Sequence, residues 1–131
     1  MKITGEELFT FRQAAAAYVA EKRKEGFSKF VYALEKMLIK TKNHARNLEN
    51  QIANLEITHA ATDEKGILII QNGNLVYTKD GKIALNKAVE ELMKQEVEIQ
   101  EAPYVLSEED YPQFSPLEEE VFGKFIAKKT N

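Results

Sequence analysis

The positions Val31, Leu34, Leu38, Thr41, Ala45, Leu48, Ile52 and Leu55 follow steps of three and four and carry apolar or small side chains. That is a strict a/d heptad over three and a half repeats. Asn43, Asn47, Asn50 and Asn54 fall on the opposite face, and no Pro or Gly interrupts the run. Ser28 is a good N-cap, with Phe27 before it and Tyr32 after it at the spacing of a hydrophobic staple. The pattern predicts one helix from about Ser28 to Thr58. Such a helix is about 46 Å long, whereas a domain of this chain's length is roughly 36 Å across. The helix therefore outruns the globule that should cover it; the end of its seam, Leu48 to Leu55, must meet either the C-terminal α+β part or a second copy, and a second copy is the expectation.

Around that helix the pattern predicts the order α-α-β-β-α-β-α. Thr4 and Glu7 form a capping box, and Leu8, Phe11, Ala15 and Tyr18 make one apolar stripe to about Lys24. Gly26 ends this first helix. Ile67–Ile70 and Leu75–Tyr77 flank Asn72-Gly73, the signature of a type I′ hairpin. Thr78 caps a helix to about Lys94, with Ile83, Leu85, Val89 and Leu92 inward. Glu96–Gln100 alternates as a third strand, which Pro103 ends. Ser115-Pro116-Leu117-Glu118 starts a last helix carrying Val121, Phe122, Phe125 and Ile126, followed by a polar tail. The fold class expected is α+β: a helical hairpin over residues 1–58, with the oligomerisation seam, then a ββαβ unit and a C-terminal helix over 59–131. The two parts are expected to form one structural domain.

Composition narrows the chemistry. The 131 residues include no Cys, which excludes disulfides, zinc-thiolate sites and thiol nucleophiles. No apolar segment is long enough to span a membrane, and the chain reads as cytoplasmic. The net charge of −3 is uneven. Residues 1–46 carry ten basic and five acidic side chains, and 47–131 carry eight and sixteen, giving +5 and −8. A basic first half suits an anion, and a solvated helical hairpin explains the same charges. The interspersed acids argue against duplex DNA.

No phosphate loop, dinucleotide fingerprint or nucleophile triad is present. His44 and His59 lie fifteen residues apart, about 22 Å along one helix, too far to share a metal. Glu96 and Glu98 read as the solvent face of a strand. The sequence thus predicts no enzyme, no cofactor and no metal site. One anion-site candidate remains: Lys40, Lys42, His44 and Arg46 surround the small, polar middle of the seam at Thr41 and Ala45. Tyr32 could stack on a base and Arg46 hold a phosphate; a hydrated helix surface explains the same residues and is the simpler reading.

The run ATDEKGILIIQNGNLVYTKDGKIALNKAVEELMKQEVEI resembles short uncharacterised proteins encoded by tailed phages and prophages. The shared features are Asp63-Glu64-Lys65-Gly66 before the hairpin, Glu91-Leu92 leading to Glu96-Val97-Glu98-Ile99, and a short acidic C-terminal helix. The likeness covers about Phe27 to Ile126, and the alanine-rich first helix departs from it. It carries no functional residues across. It implies an accessory protein, cytoplasmic in an infected or lysogenic bacterium, that binds and neutralises a host defence protein or an anionic nucleotide signal as a homo-oligomer. The alternatives are a virion or assembly part, and an accessory that binds RNA or single-stranded nucleic acid.

Overall fold

A computed structural model describes residues 1–129; the last two residues of the polar tail lie outside it. The helix predicted from Ser28 to Thr58 is present as two segments, α2 (Lys29–Lys40) and α3 (Lys42–His59). The Ser28 hydroxyl accepts from the Val31 N–H at 3.1 Å, and the Phe27 and Tyr32 rings meet edge-on with centroids 6.2 Å apart. Cap and staple are therefore both in place. Thr41 interrupts the helix, with φ −95° and ψ 0°. A side chain from the preceding helix causes this. Arg12 Nη1 donates to the Leu38 carbonyl at 2.6 Å and to Thr41 Oγ1 at 2.8 Å, while Thr41 Oγ1 donates to the Met37 carbonyl at 2.7 Å. A guanidinium inserted at a helical carbonyl is a recognised cause of a break.

The chain gathers into two units. One holds Met1–Ala45 and everything from Glu96 onward; the other is Arg46–Gln95. The sequence reading had put its boundary at 58/59, within the region that forms the second unit.

In the first unit, β1 (Lys2–Thr4) leads into α1 (Gly5–Lys22) through the Thr4–Glu7 capping box, which has both of its hydrogen bonds. Leu8, Phe11, Ala15 and Val19 form the buried stripe of α1, and α2 packs on it with Phe30, Val31, Ala33, Leu34 and Met37 buried. The third predicted strand exists as β4 (Glu96–Glu98), but its antiparallel partner is β1, with Ile3 opposite Val97. It therefore does not join the hairpin in one ββαβ sheet. β5 (Tyr104–Ser107) and β6 (Ile126–Lys129) form a parallel pair. The last helix, α5 (Pro116–Gly123), starts on the predicted Ser115–Glu118 capping box. It stops before Phe125, whose ring stacks on Phe11 with centroids 4.0 Å apart, so Ile126 is a strand residue and not a helical one. Leu117, in the first turn of this helix, is 71% exposed.

In the second unit, the hairpin strands β2 (Ile70–Gln71) and β3 (Asn74–Leu75) are joined by Asn72 and Gly73 at φ +52° and +79°. Both central residues are left-handed, as a type I′ turn requires. The Asp63 carboxylate accepts from the Lys65 and Ile67 N–H groups at 2.8 and 3.0 Å, and Gly66 follows at φ +80°. The Asp-Glu-Lys-Gly stretch is thus a turn device. Thr78 caps α4 (Lys79–Lys94), accepting from the Gly81 N–H at 3.0 Å. A Cβ on Gly81 would lie 2.8 Å from the His59 carbonyl oxygen, so α3 and α4 touch there with no room for a side chain.

One acid in the first unit gives a pH prediction. Burial pushes the Glu7 carboxyl up, but Lys124, with which it forms an ion pair, and the Thr4 hydrogen bonds outweigh this and hold it below its ordinary value. Between the folded and ordinary values the unfolded chain binds more protons. This stabilisation is therefore full above the ordinary carboxylate value and lost as pH falls through the lowered one. Glu7→Gln keeps the capping geometry and removes the charge. Its urea midpoint should fall less steeply than that of the parent between about pH 6 and about pH 3; parallel curves would refute the assignment.

Candidate functional site

The mid-seam anion site was expected to use space beside Thr41 and Ala45. Both are buried, at 0% and 5% exposure, and the Arg12 guanidinium sits against Thr41. Lys40, Lys42 and Arg46 are exposed side chains on the helix surface. His44 is half-buried and its Nε2 meets Glu101 Oε2 at 2.8 Å. A backbone hydrogen bond above all holds the Glu101 carboxyl below its ordinary value; burial opposes it, and His44 adds to the lowering. A carboxylate therefore already occupies the anion-binding side of His44. Tyr32 is 41% exposed, its ring met edge-on by Phe27 and Tyr104, with the Lys36 ammonium 5.3 Å from its centroid. Eight residues, about 12 Å of helix rise, separate it from Lys40.

The seam residues divide. Val31, Leu34, Thr41 and Ala45 are buried within the first unit, used by the chain's own packing. Leu38 is half-buried there. Leu48, Ile52 and Leu55 belong to the second unit, and all three are half-buried.

The second unit has a site that the sequence reading did not single out. Between α3 and α4 lies an open groove of about 880 Å³. Leu55 and Leu92 supply its apolar surface, Ala88 its small wall, and Gln51, Asn54, Thr58 and Gln95 its amide and hydroxyl rim, with Glu91 and Lys94 on the α4 side. The volume is of the size that takes a drug-sized ligand, at roughly 300–1,000 Å³, but the groove is open along its length. Leu85 is the one apolar side chain of this unit that is fully buried among the described residues, at 5% exposure. Ile57, Ile67, Ile70 and Ile83 are each more than half exposed. The signal that could have found the groove was Leu48, Ile52 and Leu55 set against a partner helix with only Leu85, Val89 and Leu92 to cover them.

Among the described residues no three His, Asp or Glu side chains gather where a metal ion would sit, and no helix is long and apolar enough to cross a membrane. Comparison of the chain with protein-family models, curated proteins and solved structures returns no match.

Proposed function

We propose that this is a non-enzymatic, self-associating accessory protein that acts by binding, with a host defence component as its target, in keeping with the tailed-phage proteins that its sequence resembles. One observation carries the reading: the second unit leaves its apolar side chains half covered, with Leu85 alone fully buried among the described residues. Such a surface gains stability from contact with another chain. The basic side chains Lys40, Lys42 and Arg46 leave an anionic nucleotide as the other target class, and the pairing of His44 with Glu101 weighs against it. An assembly role in a phage particle would draw on the same uncovered surface, and abundance of the chain in purified particles is the outcome that favours it.

Light scattering on the full chain tests self-association; a monomer at tens of micromolar would refute it. Thermal shift against cyclic and ADP-ribose nucleotides tests the second target class. No stabilisation is expected, and stabilisation abolished by Arg46→Ala would reverse the choice of target.

A further inference from the structure

The second unit is too small to be held by its own core. Units below about 70 residues are commonly reinforced by disulfides, a metal or a partner chain. This chain has no Cys, and no metal-holding group is found among the described residues. A partner chain is the third of these means, and the groove between α3 and α4 is the place that fits one. A helix about 10 Å across has a section of roughly 80 Å², so 880 Å³ takes roughly two helical turns. The α4 side of the groove, from Ala88 to Gln95, is itself two turns long.

We propose that this groove is filled by α4 of a second copy, lying antiparallel across a two-fold axis, so that two helical pairs close into a four-helix bundle. The proposal deepens the self-association described above and rests on it. Three observations select a second copy. First, a two-fold contact is self-complementary, so the same residues must attract one another in antiparallel order. Lys87, Glu91 and Lys94 lie along one side of α4 at steps of four and three. An axis near Val89 sets Lys87 of one copy beside Glu91 of the other, twice over. Second, Ala84 and Ala88 are half-buried and small, which lets two helix axes approach to about 8 Å. Third, residues 46–95 carry six basic and seven acidic side chains, a net of −1, so two copies meet without strong repulsion.

The face is modest. Two helices side by side, about 20 Å wide and about 24 Å long, present roughly 480 Å² per copy, about 960 Å² in total, below the range of stable interfaces and within that of weak, transient ones. The dimer should therefore dissociate measurably, and sedimentation equilibrium of the full chain should follow it from about 1 to about 100 micromolar. Lys87→Glu or Glu91→Lys alone should weaken it about tenfold, because each creates two like-charge contacts. The double variant K87E/E91K should return to within about threefold of the parent. Lys87 and Glu91 are exposed, so the variants should keep the parent's fold, which circular dichroism checks. The Cys-free chain permits a second readout. Ala88→Cys should be joined into a dimer by a short bis-maleimide, and Asn43→Cys should not. A monomer throughout would overturn both this arrangement and self-association. An oligomer with no Ala88→Cys crosslink, no charge rescue, or a mass above that of a dimer would overturn the arrangement and leave self-association standing.

Discussion

Phe11→Ala is expected to remove a large part of the protein's stability. Phe11 is 0% exposed, stacks on Phe125 with centroids 4.0 Å apart and planes 16° apart, and meets Phe122 edge-on at 6.2 Å. Truncating a buried phenylalanine costs about 3–5 kcal/mol, part of it lost transfer and part the cavity left behind. A domain's whole stability is about 5–15 kcal/mol. The loss here should lie toward the upper end, because the facing ring cannot move inward: Phe125 is followed directly by the strand residues that pair with β5. With a urea slope of about 1–3 kcal/mol per molar, the midpoint should drop by about 2 M. Leu117→Ala is the control, since a side chain 71% exposed should change the midpoint by less than about 0.5 kcal/mol equivalent. Equal effects at the two positions would mean that the aromatic stack is not the centre of the first unit.

Arg12→Met should give the second largest effect. The guanidinium bonds both the Leu38 carbonyl and the Thr41 hydroxyl at the point where α2 gives way to α3. A hydrogen bond from a charged donor is worth about 1.5–3 kcal/mol, and leaving its buried acceptor unsatisfied adds a further cost. Arg12→Met keeps the aliphatic bulk and should destabilise by about 2–4 kcal/mol. Thr41→Val, which removes the hydroxyl while keeping its shape, should lose less, and adding it to Arg12→Met should cost less than the sum of the two. Strict additivity in that double-mutant cycle would show that the two groups do not act through one another.

These two residues also mark where sequence reading succeeds and fails. The capping boxes at Thr4 and Ser115, the Thr78 cap and the Asn72-Gly73 turn were legible because each is a bond between near neighbours. The Phe11 stripe was legible from spacing alone. Arg12 was not, because its role is fixed by a carbonyl 26 residues away. The pairings of β1 with β4 and of β5 with β6 escaped for the same reason: each strand is only three or four residues long and its partner is remote. The heptad was legible as a pattern, but not its use. Its first half, Leu38 apart, is consumed inside the chain, where Arg12 and α1 meet it, and Leu48, Ile52 and Leu55 are left half covered. The groove is a product of two helices at a distance in sequence, so its signal emerges only when the apolar positions of α3 and α4 are set against each other.

The β1–β4 pairing has a consequence for synthesis. Ile3 lies opposite Val97, roughly ninety residues later. At about 5–20 residues per second, β1 leaves the ribosome roughly 5–20 seconds before its partner strand exists. Over that interval the capping box and α1 are free to form, while Ile3, 1% exposed once folded, has no strand to lie against. The helix start at Thr4 ends that waiting edge, and the charge of Lys2 within it discourages pairing with a neighbouring nascent chain.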